Sequence, residues 1–180
     1  MSLRRPARLF AAAALVLAAP ALTSCGFDYA TDRVYTPGAG TNVRDNTVDV
    51  LGAVVVSAEA GAGTLIATFV NNLLDEEATV TEITGAGDDA DLEIEGFTPI
   101  TIAPNGLINL ATEDTPIIIS GDYEEGAFLT LDFVFDDGTS AELQVPTIAD
   151  CYEYAGLDAA AETPTPAEEC EPPAPVEGAH

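Results

Sequence analysis

Between Gly87 and Glu95 the chain places Asp88, Asp89, Asp91, Glu93 and Glu95, the last four at every second position. Side chains two apart on an extended segment share a face. Asp89, Asp91, Glu93 and Glu95 would therefore present four carboxylates together, with Glu82 or Asp75 able to converge on them. Calcium takes several hard oxygen ligands at short range, and these four are the weak calcium candidates of the chain. The spacing is not that of an EF-hand loop, whose Gly and distal Glu are missing from their places. The competing reading is a solvated strand face whose charge discourages edge pairing. Other chemistry is poorly supplied. Ser57, Ser120 and Ser140 have no His within the domain to act as base, since the single His is His180, and no Lys is present. With 31 acids in the chain, carboxylate pairs arise by chance and do not by themselves argue for acid–base catalysis. The sequence predicts no enzyme and no cofactor.

The same acids restrict the partners. Thirty-one Asp and Glu face 5 Arg, for a formal charge of −26. Arg4, Arg5 and Arg8 all precede the first acid, Asp28; without them two Arg remain against 31 acids, a charge of −29. Such a surface repels phosphate backbones and anionic headgroups, which excludes nucleic acid. The 47% hydrophobic content nevertheless allows a core, and the length suits one domain. High acid content without Lys also suits life in high salt or within a polyanionic wall, a reading that needs no ligand.

The N-terminus reads as an address. A cationic start is followed by an apolar stretch over residues 9–22, short of the roughly 20 residues a span needs and right for a signal peptide. Leu22-Thr23-Ser24-Cys25-Gly26 follows directly and resembles the lipobox of bacterial lipoproteins, in which the Cys thiol takes a diacylglyceryl group. That resemblance implies removal of residues 1–24, palmitate-type acylation at Cys25, and a membrane partner reached through the anchor. The expected location is the extracytoplasmic face of the cell membrane. Each buried methylene contributes about 0.8 kcal/mol, so two or three acyl chains hold such a protein stably.

Of three Cys, lipidation of Cys25 leaves Cys151 and Cys170. Outside the cytosol such a pair reads most simply as a disulfide closing a loop of about 20 residues, worth roughly 3 kcal/mol in the chain-entropy model. The rival is two free thiols.

The elements that must position these groups are strands. Residues 25–46 carry Pro37-Gly38, Gly40 and Asn42 and read as a tether, with Val43 among the apolar residues able to dock. Residues 47–150 read as a β domain: strands are expected at 47–51, 53–56, 64–70, 78–84, 91–95, 99–103, 107–110, 117–119, 127–135 and 139–145. Pro104-Asn105-Gly106 and Asp136-Asp137-Gly138 are turn chemistry. Strands at such intervals without helical periodicity predict an all-β, antiparallel immunoglobulin- or cupredoxin-like sandwich. Residues 151–180, rich in Ala, Glu and Pro, read as a disordered tail pinned by the disulfide.

Residues 63–72, Ile102-Ala103-Pro104-Asn105-Gly106, residues 129–133 and Gln144-Val145-Pro146 together resemble the periplasmic copper chaperones of the PCuAC type. They resemble in particular actinobacterial lipoproteins sharing that sandwich, over roughly residues 47–147. That family holds Cu(I) through His and Met, including a His-x-Met after the strand that follows the Pro/Gly turn. Here Thr115-Pro116-Ile117-Ile118-Ile119-Ser120 stands in that region, with neither ligand. The resemblance therefore implies the fold and the envelope location, and not the metal. The expected function is a non-catalytic binding role toward an envelope protein partner, made by loops at one end of the sandwich. The alternative is a calcium-binding or degenerate copper-chaperone-like protein.

Overall fold

The computed structural model describes residues 38–163 together with Thr165 and Cys170. The signal segment and Cys25 lie outside the described residues. Ten strands follow in order: β1 (Thr41–Val43), β2 (Val48–Glu59), β3 (Ala62–Asn71), β4 (Ala78–Gly85), β5 (Glu93–Glu95), β6 (Ile100–Ile102), β7 (Leu107–Asn109), β8 (Ile118–Ser120), β9 (Phe128–Phe135) and β10 (Ser140–Ala149). Three 3₁₀ turns interrupt them, and among the described residues there is no α-helix. None of these residues forms a helix long and apolar enough to cross a membrane.

The all-β architecture is as expected, and its spine is the β2–β3 hairpin. Val48 and Val50 point into the core cluster, and so do Ala53 and Val55. The phase change between the two pairs comes from a register shift between Leu51 and Val54, next to Gly52 at φ +62°. One extra residue flips the faces. Val54 and Val56 then pair with Ile66 and Thr64 away from that cluster, yet both are buried. A strand covered on both faces is apolar at every position, which accounts for the run over 53–56. The two strands expected there are one bulged strand.

On β3, Leu65, Ala67, Phe69 and Asn71 alternate inward, and the first three belong to the core. Phe69 meets Phe133 of β9 edge to face, with ring centroids 5.9 Å apart at 64°. Full burial of such a side chain contributes roughly 1.5–3 kcal/mol, so this contact is a principal tie between the two layers.

Strand order is β5-β8-β3-β2-β10-β9-β4-β6, with β1 added on β2 and β7 on β3. One pair departs from the antiparallel expectation. β10 runs antiparallel to β9 from Ser140 to Pro146 and then parallel to β2 from Thr147 to Ala149. Pro146, which has no N–H, sits at the change of partner. Beyond it β10 keeps its direction and meets β2 past the segment that β1 occupies, so its pairing is parallel.

Two boundaries also move. β1 lies before residue 47, and Val43 packs against the core, so part of the expected tether belongs to the sandwich. The first stretch of the expected tail is bound to the sheet: Cys151 and Asp158 are buried, next to the buried Asp150 that ends the expected domain. Hydrogen-bonding polar side chains, described below, account for this order where composition suggested disorder.

Candidate interaction site

The acidic run does not form the single extended face expected of it. Gly87–Asp89 is a 3₁₀ turn, and β5 begins only at Glu93. The turn packs against β4 so closely that a Cβ on Gly85 would lie 1.9 Å from the Asp89 carbonyl oxygen. Asp89 turns toward β9, where Oδ2 accepts a hydrogen bond from the Thr130 N–H at 2.8 Å. Asp91 is exposed in a turn; Glu93 and Glu95 are exposed on one side of β5, opposite Ser120 and Ile118. Among the described residues no group of three or more His, Cys, Asp or Glu is arranged to hold a metal ion. Asp132 of β9 leaves Oδ1 buried without a partner, facing Thr84 and Glu142 across the ladders. Two carboxylates fall short of the ligand number calcium takes.

Organised polar chemistry lies instead at the two ends of β3. At the Asn71 end, the buried Asn71 Nδ2 donates to the carbonyls of Glu76 at 2.8 Å, Ile102 at 3.2 Å and Ala103 at 3.1 Å. Its Oδ1 accepts from the Leu73 N–H at 2.9 Å. The backbone adds Asn71 N–H to Gly106 O at 3.0 Å and Asn105 N–H to Leu73 O at 2.7 Å. One side chain thus fastens the 72–77 loop to the turn between β6 and β7, where Asn105 takes φ +49° as its turn chemistry allows. Asn72 ties in β2 through Thr47 O and Asp49. Thr47 in turn donates to Asp137 Oδ2 at 2.7 Å, bringing the β9–β10 turn to the same end. Hydrogen bonds from Thr139 and then Thr47 hold the Asp137 carboxyl below its ordinary value.

What this framework presents is apolar. Leu74 is 74% exposed and Leu107 is 62% exposed. The same end carries the exposed acids Asp75, Glu76 and Glu77 of the 72–77 loop and Asp136 and Asp137 of the β9–β10 turn.

At the opposite end the polar centres are carboxylates. Asp158 Oδ2 accepts from the Ala58 N–H at 2.8 Å, and Oδ1 accepts from Thr64 Oγ1 at 3.1 Å and the Ala160 N–H at 2.9 Å. Thr64 Oγ1 in turn accepts from the Ala159 N–H at 2.7 Å. Asp150 Oδ1 accepts from the N–H groups of Leu157 and Asp158. Cys151 and Cys170 are joined, with Cα atoms 5.5 Å apart, so the pair reads as the disulfide and not as two thiols. Tyr123, whose hydroxyl donates to Ile119 O at 2.8 Å, is pushed up to about 12 by burial and then by the charge of Asp158. Residues 150–163 form a strap along this end, and a depression of about 290 Å³ beside it is lined by Glu59, Asp158, Glu162 and Thr163 with alanines.

Neither centre was singled out in the sequence, where Asn71 only follows the strand expected at 64–70. The signal was present: the inward period of Leu65, Ala67 and Phe69 continues onto Asn71, and an inward Asn must be bonded. Asp158 carries no comparable signal, because its partners at Ala58 and Thr64 lie far away in the chain.

No family model matches the chain, and no curated protein matches its sequence. Among solved structures the chain is similar to the copper-bound PCuAC domain from PmoF2, at 12% identity and TM-score 0.49 over 61% of this chain and 98% of that one. The apo PCuAC domain from PmoF1 is similar at 16% identity and TM-score 0.47, covering 61% and 99%. These are domains of the type that the sequence resembles.

Proposed function

We propose that the chain is an exported lipoprotein, anchored through Cys25 at the extracytoplasmic face of the cell membrane, that acts without catalysis by contacting an envelope protein. The contact is made at the Asn71 end of the sandwich. One observation carries this reading: Leu74, on the 72–77 loop, and Leu107, at the start of β7, are both held out to solvent where the buried Asn71 side chain and two backbone hydrogen bonds fasten that loop to the β6–β7 turn. The lipobox supplies the anchor. The described residues contain no His and no Lys, and Ser57 is buried with its hydroxyl donating to the carbonyls of Glu59 and Ala62, which supports a non-catalytic role.

Two experiments test the reading. Processing of the full chain in cells should be blocked by globomycin and by Cys25→Ala; unchanged processing of the variant removes the anchor. A photo-crosslinking residue at position 74 should form an adduct with an envelope protein in intact cells, and one at the exposed Tyr152 should not.

Copper is bound by the PmoF2 domain named above, and the described residues of this chain contain neither Met nor His to hold Cu(I). Soft thioether and imidazole ligands select that ion. The only Met is Met1 and the only His is His180. In the stretch where the resemblance implies ligands, Ile117 and Ile119 are core residues. Calorimetry with Cu⁺ and Ca²⁺ on the full chain should show no micromolar site for either ion.

A further inference from the structure

The chemistry of the Asn71 end specifies what it contacts. We infer that its partner is a cationic polypeptide segment carrying apolar side chains, a Lys- or Arg-rich stretch with leucine-sized anchors. The inference rests on reading this end as the contact site.

Four large apolar side chains are exposed among the described residues, and two of them, Leu74 and Leu107, share this end. The loop bearing Leu74 and the turn leading into Leu107 of β7 are fastened by Asn71 and by the Asn105-to-Leu73 backbone bond, so little ordering is left for the partner to impose. This end is anionic: Asp75, Glu76, Glu77, Asp136 and Asp137 are all exposed, against the single cation of residues 38–163, Arg44, on the short connection that carries Thr47 to the same end. Asp137 is held ionised by the hydroxyls of Thr139 and Thr47.

That combination selects among occupants. An anionic lipid surface is repelled by these acids. A second copy of the chain brings the same excess of acids and is repelled as well. A neutral apolar segment would cover Leu74 and Leu107 while stripping water from the carboxylates of this end without returning a charge. A cationic segment satisfies these acids, is steered toward them, and lets its apolar residues meet the leucines.

The test uses the full chain in detergent and short synthetic peptides of equal length: Lys/Leu, Gln/Leu, and Lys/Gln. Fluorescence anisotropy should show Lys/Leu binding at least about tenfold tighter than either of the others, one missing the charge and the other the anchors. Raising salt from roughly 0.05 M to 0.5 M should weaken it about tenfold, because exposed charges are screened. Leu74→Ser with Leu107→Ser should cost about tenfold, as should Asp75→Asn with Glu76→Gln and Glu77→Gln. Glu124→Gln with Glu125→Gln, on the loop before β9, should leave binding unchanged.

Equal losses from the two acidic sets would mean that only overall charge is felt, and would overturn the proposal; so would Lys/Leu binding indifferent to the leucine pair. The two readings separate in cells. A crosslink at position 74 to a partner that Gln/Leu displaces and Lys/Leu does not would keep the contact site and remove the cationic partner. A crosslink at position 152 with none at 74 would remove both.

Discussion

The two ends of β3 solve the same problem with opposite chemistry. Each must hold irregular backbone against a sheet, and irregular backbone carries N–H and C=O groups that need partners. At the Asn71 end the groups the centre serves are carbonyls, those of Glu76, Ile102 and Ala103, and the centre is an amide that donates. At the strap end the groups the centres serve are mostly N–H, those of Ala58, Leu157 and Ala160, and the centres are carboxylates that accept. The difference teaches how so acidic a chain buries two aspartates with almost no cations. Asp150 and Asp158 are satisfied by backbone dipoles and one hydroxyl, not by ion pairs, and hydrogen bonds to an ionised acceptor are roughly twice as strong as neutral ones.

Exchanging the two chemistries is the strongest way to break that comparison. Asn71→Asp sets an acceptor against three carbonyls and buries an unpaired charge. Urea unfolding at neutral pH should show a loss of about 3–5 kcal/mol, smaller where the new carboxyl is protonated. A loss under 1 kcal/mol would mean the loops hold without this side chain. Cys151→Ser with Cys170→Ser should cost about 3 kcal/mol in the chain-entropy model. Asp158→Asn is the reciprocal exchange: it offers an N–H₂ group to backbone donors, and about 2 kcal/mol should be lost. Hydrogen exchange at Ala58 and Ala160 should rise, while the amide of Leu73 stays protected.

Much of the scaffold was legible because alternation reports burial directly. Residues 128–135 and 78–85 form strands close to where their period placed them, and a turn forms at Asp136-Asp137-Gly138 with Gly138 at φ +82°, although Asp137 does not take the positive φ of a primed Asp-Gly turn. The chemistry was less legible, for reasons that differ by site. At residues 87–95 the period of two was real in sequence, but Gly85 admits a close backbone approach that turns the chain at Asp89 before it can extend. At Gly52 a bulge inverts the faces of β2, which composition cannot report. In the strap, Ala- and Glu-rich sequence suggested disorder because its order depends on donors of β2 and β3 about 100 residues away.

A pH titration probes the strap end without altering it. Tyr123 is raised from its ordinary 10 to about 12, so the folded state keeps its proton where the unfolded chain has lost it. The stability this confers is whole below pH 10 and falls as pH rises from 10 to about 12, with a slope of at most about 1.4 kcal/mol per unit. Tyr123→Phe should flatten that fall. If the slope is unchanged, another group governs alkaline unfolding.

The smallest expected effect on stability separates presentation from support. Asn71 holds the loops and Leu74 only stands on them, so Leu74→Ser with Leu107→Ser should shift unfolding by no more than about 0.5 kcal/mol, as surface changes do. A loss beyond 1 kcal/mol would mean that the leucines pack into the fold more than their exposures of 74% and 62% indicate. The pair would then be structure and not surface. If stability holds while crosslinking at position 74 disappears, the two roles are distinct: one buried amide builds the platform, and two leucines make the contact.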